Sequence, residues 1–198
     1  TTQSRLLCEA LSVQGIPAIH TREPGGTEGA EAIRELLVTG ETGRWDSMTE
    51  TLLHFAARRD HVEKQVRPTL ERGEWVVCDR FTDSTLAYQG YGYGISLGLI
   101  KDIHRLTLDM FEPQVTIILD IATDKGIART REREMSAQRH KEDRYERMGT
   151  AFHAKVREGF LAIARADAER CIVIPAEQDI LTVHHAIIEQ LNTRLGIT

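Results

Sequence analysis

Four short apolar runs rich in β-branched residues constrain this chain more than any other feature: Ile16 to Ile19, Trp75 to Cys78, Val115 to Leu119 and Cys171 to Ile174. Each is nearly continuous rather than alternating, which is the pattern of a strand covered on both faces. The segments between them carry helical spacing. Leu6, Leu7 and Leu11 stripe one helix that Gly15 closes, and Ala32, Ile33, Leu36 and Leu37 stripe a second that Gly40 closes. Leu52, Leu53, Phe55, Ala56, Val62 and Val66 mark a third, long helix that Pro68 is expected to kink or end. Alternation of strand and helix along the whole length predicts an α/β fold, a parallel sheet with helices on both sides.

Composition narrows the class of function. A chain of 198 residues, 41% of them hydrophobic, has the size of one globular domain. Its 25 Lys and Arg against 30 Asp and Glu give a formal charge of -5, which argues against a general nucleic-acid binder. No run approaches the roughly 18 apolar residues of a membrane span, and Thr1 to Glu9 lacks the basic and apolar regions of a signal peptide. The expected setting is the cytoplasm, without a membrane partner. Cys8, Cys78 and Cys171 are far apart and show no CxxC spacing, so neither a zinc site nor a disulfide framework is expected.

Polar, glycine-punctuated loops follow the strands, and in a parallel sheet that edge binds ligands. Thr21-Arg22-Glu23-Pro24-Gly25-Gly26-Thr27 follows the first run; on its own, Gly-Gly is more often a plain turn than a site. Asp79-Arg80-Phe81 and then Asp83-Ser84-Thr85-Leu86-Ala87-Tyr88-Gln89-Gly90 follow the second. Asp79 at a strand end can hold Mg²⁺ and Arg80 can grip a phosphate, or the two can form an internal surface pair. Arg129 to Arg147 is almost wholly polar, with six arginines and a lysine. It reads equally as a solvated helix face and as a flap over a polyanion. At the front, Thr1, Thr2, Gln3 and Ser4 lead straight into a helix expected over Arg5 to Gln14, with no strand ahead of it.

TREPGGT, AEAIR, LLHFAARRDHV, CDRFTDSTLAYQGYGYG, LDI and an Arg-rich flap ending DRYE occur in that order and spacing, from Thr1 to about Ile188. In this the chain resembles the bacterial thymidylate kinases. The resemblance implies the P-loop nucleoside monophosphate kinase fold as a single kinase domain over residues 1–198, with an Arg-rich LID over 131–146. It implies Mg²⁺-dependent transfer of the ATP γ-phosphate to dTMP, giving dTDP and ADP, and a homodimer. The family's first strand and Gly-rich phosphate loop, ending Gly-Lys-(Ser/Thr)-Thr, are missing from these 198 residues and are expected ahead of Thr1.

Position by position, the resemblance places Arg34 and Arg80 on the dTMP phosphate, Asp79 and Thr1 near Mg²⁺, and Thr2 beside the ATP phosphates. Arg58 falls on the pyrimidine carbonyl, Thr85 and Gln89 on polar contacts to base or phosphate, and Glu23 and Pro24 in the acceptor site. Tyr88 falls where a ring crowds the sugar 2' position. The family's stacking Phe is replaced by His54, so either His54 or its neighbour Phe55 stacks on the base. Arg131, Arg133, Arg139 and Arg144 are the candidate LID arginines. Arg129 and Ala176, Glu177 and Gln178 are candidates for the adenine border. Asp143 and Glu146 are expected to orient the flap. His54 also raises a kinase of relaxed base choice, and the Arg-rich run a non-catalytic nucleotide-binding or nucleic-acid-binding protein.

Overall fold

The computed structural model describes residues 1–41, 43–129, 145 and 147–197. Helix α1 (Thr2–Val13) precedes β1 (Ala18–Arg22), α2 (Glu28–Val38) and α3 (Ser47–His61). A π-helical turn (Val62–Val66) joins α3 to α4 (Arg67–Glu71), and β2 (Trp75–Asp79) follows. The short α5 (Thr82–Thr85) runs into a second π-helical segment, Leu86–Gly92, and then come α6 (Leu97–Leu108) and β3 (Thr116–Asp120). Residues 123–129 are helical (α7), and α8 (Thr150–Ala166), β4 (Cys171–Pro175) and α9 (Ile180–Leu195) complete the order.

Local chemistry sets these boundaries. The Thr27 hydroxyl accepts from the Ala30 amide at the start of α2, Asp46 caps the Met48 and Thr49 amides of α3, and Asp179 does the same for Leu181 and Thr182 in α9. Helix α1 begins at Thr2, three residues before the expected start. Strand β1 starts two residues later than its apolar run, because the Ile16 amide bonds back to the Leu11 carbonyl and Pro17 has no N–H to give a ladder. Pro68 does not end the helical run, which continues to Glu71. The π turn before it resets the hydrogen-bond ladder, which puts Pro68 in the first turn of α4 where a missing N–H costs nothing.

The strands form two parallel ladders, β1 with β2 and β3 with β4, rather than one continuous hydrogen-bonded sheet. Side chains join them. Trp75, Val77 and Ile117 belong with Ile172 and Ile174 to one apolar cluster that includes Leu11 of α1 and Val183, Ile187 and Leu191 of α9. Alternate residues point the other way: Ile118 and Cys171 pack with Phe55 of α3, Ile100 of α6 and Val156 and Ile163 of α8, and Val76 packs with Val62 and Leu108. Successive side chains of a strand face opposite sides, so both faces are covered, as the apolar runs require. Asp83 after β2 forms a bidentate pair with Arg170 before β4 (2.7 and 2.9 Å), and Thr116 at the start of β3 bonds both.

Gly159 lets α8 lie directly on the Leu86–Gly92 segment, since a Cβ there would stand 2.8 Å from Cβ, Cγ and Cδ2 of Tyr91. Alanine is the better helix former by about 1 kcal/mol, but overpacking costs about 1–3 kcal/mol. Gly159→Ala is therefore expected to lower Tm by roughly 2–6 °C. An unchanged or higher Tm in a thermal melt would show that Tyr91 gives way.

Candidate active site

The carboxyl ends of the strands open into a cavity of about 920 Å³. Ladder register sets Arg22 opposite Asp79, and the Glu23 amide donates to the Asp79 carbonyl (2.9 Å), which brings Glu23 and Pro24 level with Asp79 and Arg80. Buried Glu23 accepts from Arg58 Nε (2.6 Å) and His61 Nδ1 (3.0 Å). Arg58 Nη2 donates to Thr85 Oγ1 (3.0 Å), and its guanidinium packs on the rings of Phe55 and Phe81. From α2, Arg34 Nη1 donates to the Pro24 carbonyl (2.8 Å). Arg80 adopts the left-handed backbone region (φ 71°), uncommon for a residue with a Cβ. The Cys78 thiol donates to the Arg80 carbonyl (3.1 Å), and the guanidinium lies 5.1 Å from the Tyr88 ring centre. The result is a wall with three arginines, Arg34, Arg58 and Arg80, built to receive negative charge.

His54 stands in that wall and Phe55 does not. Adjacent helical residues point about 100° apart, so His54 lines the cavity while Phe55 is buried in the core against Ile100 and Val156. Burial, reinforced by the charges of Arg58, Arg80 and Arg34, lowers the His54 pKa to about 3. The neutral ring bonds Tyr145 Oη through Nε2 (2.9 Å). Gln89 Nε2 points at the same hydroxyl from 3.5 Å. Gln89 is held in turn by buried Glu50 (2.8 Å).

Thr1 Oγ1 donates to Asp79 Oδ2 (2.5 Å) at the cavity edge. Burial works against the charge of Asp79, whereas the Thr1 hydroxyl and the Arg80 guanidinium favour the ionised carboxylate. A hydroxyl and an ionised carboxylate converging at a cavity are the hard oxygen donors that Mg²⁺ takes, so these residues fit that ion.

The structure thus gathers Thr1, Glu23, Pro24, Arg34, His54, Arg58, Arg80, Thr85, Tyr88 and Gln89 around the cavity, with Asp79 immediately behind Thr1. Thr2 is exposed outside it. Arg129 is tied to the loop after β4, donating to the Ala176 carbonyl (2.6 Å) and the Glu177 carbonyl (3.0 Å); these residues and exposed Gln178 do not line the cavity. Arg131, Arg133, Arg139, Arg144, Asp143 and Glu146 lie outside the described residues.

Sequence reasoning missed Asp120 and Arg157, a bidentate pair in the cavity wall (2.7 and 2.9 Å), and His61 behind Glu23. Asp120 carries the same signal as Asp79, an acid at the end of an apolar strand. Nothing local marks Arg157 or His61.

The thymidylate kinase family model matches residues 1–187. A thymidylate kinase of Caulobacter vibrioides is 46% identical over 197 residues, covering 100% of this chain and 92% of that relative. One from Jannaschia sp. is 43% identical, covering 99% and 91%. The chain belongs to the thymidylate kinase family. A crystal structure of the thymidylate kinase from Ehrlichia chaffeensis superposes with a TM-score of 0.74 at 38% identity, covering 96% of this chain and 90% of that one. The fold is accordingly the P-loop nucleoside monophosphate kinase fold, and the family is one of phosphotransferases.

His54 sets a pH dependence in this thymidylate kinase fold. Its pKa of about 3 lies below the value near 6.5 of an unfolded histidine, so between those values the unfolded chain binds more protons. Stability contributed by the neutral ring is present above about pH 6.5 and is lost as pH falls toward 3. The drop in Tm between pH 7 and pH 4.5 is expected to be smaller in His54→Phe than in the parent. Equal drops would show that the imidazole titrates normally in the folded protein.

Proposed function

We propose that this chain transfers the γ-phosphate of ATP to dTMP, giving dTDP and ADP for dTTP synthesis, as a cytoplasmic homodimer. The observation that carries the reading is the wall of Arg34, Arg58 and Arg80 with Tyr88 and His54 around one cavity at the carboxyl ends of β1 and β2. Two polyanions must be brought together, and phosphoryl transfer needs positioning and charge stabilisation more than covalent chemistry.

Arg80 meets the acceptor phosphate, with its backbone turned by the left-handed φ and its guanidinium packed on Tyr88. Arg34, anchored on the Pro24 carbonyl, adds a second charge. Arg58 faces the pyrimidine carbonyl, His54 replaces the stacking ring, and Tyr88 crowds the sugar 2' position. The attacking oxygen of dTMP is already ionised and needs no general base. Thr1 and Asp79 would hold Mg²⁺, which supplies charge neutralisation on the donor phosphates when bound. The LID arginines, Arg131, Arg133, Arg139 and Arg144, would complete that neutralisation. For the dimer, Leu52 of α3 and Leu99 and Leu106 of α6 supply exposed apolar side chains on neighbouring helices.

The test is coupled ADP release with dTMP, dUMP, UMP and dCMP as acceptors. Highest kcat/KM with dTMP is expected, and comparable values across the bases would instead establish a kinase of relaxed base choice. Arg80→Ala is expected to cost about 10² or more in kcat/KM with little change in Tm. If the variant unfolds while surviving molecules turn over normally, Arg80 is a structural residue and the acceptor assignment fails.

A further inference from the structure

Glu23, His61 and Cys78 bring three metal-ligating atoms within 4.8 Å of one another among the described residues. The cluster does not suit a cation. Both Glu23 oxygens and both His61 nitrogens are engaged in hydrogen bonds, and burial, with the Glu23 charge, pushes the Cys78 thiol well above its ordinary range. A thiol kept protonated is a poor ligand.

What the cluster forms is a hydrogen-bonded chain that ends at the cavity. Thr21 Oγ1 meets His61 Nε2 (2.8 Å) and reaches Gln65 Oε1 on its other side (3.4 Å). His61 Nδ1 donates to Glu23 Oε1 (3.0 Å), Glu23 Oε2 accepts from Arg58 Nε (2.6 Å), and Arg58 Nη2 donates to Thr85 (3.0 Å). Thr21, Glu23, Arg58, His61 and Thr85 are each 5% exposed or less. Gly26 closes the His61 ring in, since a Cβ there would stand 2.5 Å from His61 Cδ2 and 2.7 Å from Thr21 Oγ1.

Of the five guanidinium N–H groups of Arg58, those on Nε and Nη2 are directed by Glu23 and Thr85. Nη1 is buried and has no hydrogen-bond partner among the described residues, while Arg58 itself lines the cavity. Two N–H donors of a buried cation without acceptors are costly unless a ligand supplies one. His61 does not line the cavity, yet it holds one oxygen of the carboxylate whose other oxygen fixes the guanidinium plane.

We propose that His61 is a positioning residue for the acceptor nucleotide: by donating to Glu23 it fixes the orientation in which Arg58 presents Nη1 to the base. This rests on the reading of Arg58 as an acceptor-site residue. Specificity for a carbonyl-bearing pyrimidine then depends on a histidine that never touches it.

The experiment measures the Kd of dTMP and of ATP by calorimetry, with Tm alongside, for His61→Leu, His61→Asn, Arg58→Ala and the double variant Arg58→Ala/His61→Leu. Arg58→Ala is expected to weaken dTMP alone; if it leaves dTMP affinity unchanged, the reading of Arg58 fails, whatever His61 does. Given that loss, His61→Leu is expected to weaken dTMP about tenfold, the scale of one charge-assisted hydrogen bond, with ATP affinity unchanged. His61→Asn, whose amide can place an N–H where Nδ1–H stood, should restore affinity to within about threefold of the parent. In the Arg58→Ala background His61→Leu should cost nothing further in dTMP binding, although its effect on Tm persists. Should His61→Leu fail to fold, Thr21→Val removes the partner on the ring's far side and is expected to weaken dTMP in the parent but not in Arg58→Ala. The proposal is overturned if the single variants leave dTMP binding unchanged while Arg58→Ala weakens it, if dTMP and ATP weaken equally, or if the losses multiply in the double variant.

Discussion

The bidentate contact between Asp83 and Arg170 ties the two strand ladders of this molecule together, beside the apolar cluster that also spans them. The ladders β1–β2 and β3–β4 share no pairing, and the carboxylate that follows β2 is gripped by the guanidinium that precedes β4. The Asp83 side chain is 9% exposed, so loss of Arg170 would strand a poorly hydrated carboxylate, at a cost on the order of 3–5 kcal/mol, whereas Arg170 without Asp83 would keep its pair with Asp167 (2.7 Å). Asp83 also lies in α5, whose continuation carries Tyr88 and Gln89. One ion pair therefore links the end of β2 to the start of β4 at the root of the segment that forms a cavity wall.

The same logic of pairing runs through the site. Arg58 is tolerated in the interior because Glu23 neutralises it and two aromatic rings receive its faces, whereas Arg80 remains reachable from the cavity and packs on a single ring. The two arginines are thereby suited to different tasks. A buried guanidinium held through Nε and Nη2 presents its remaining donors at fixed angles, and a more accessible one presents charge. Arg80 holds a left-handed backbone that costs on the order of 1–3 kcal/mol, a strain located at the residue read as the phosphate contact.

Much of this was legible in the sequence, for physical reasons that also explain what was not. The runs beginning at Trp75 and Cys171 are strands from those residues onward, because burial on both faces leaves an apolar signature that needs no knowledge of the partner strand. The arginine-bearing wall was legible through its motifs, which place Arg34, Arg58 and Arg80 in three separate segments that the fold brings to one cavity. Which of Phe55 and His54 meets the base was left open, and helix α3 sends the Phe55 ring into the core and His54 to the cavity. Asp120 with Arg157, and His61 with Glu23, are contacts 37 and 38 residues apart that periodicity cannot reveal. The two π-helical segments escaped notice because an inserted residue leaves the apolar spacing nearly intact.

The π-helical segment Leu86–Gly92 has a consequence for the changes of length that this part of the chain can absorb. Such a segment is an α-helix carrying extra backbone, and Tyr88 and Gln89 owe their direction to it. Deleting one residue between Thr85 and Tyr93 would restore regular i→i−4 bonding, a local gain, yet would change the direction in which Tyr88 and Gln89 leave the backbone. Surface loops tolerate such changes of length. Here a more regular helix would re-aim two side chains of the cavity wall, so the local preference of the backbone and the proposed demands of the site pull in opposite directions.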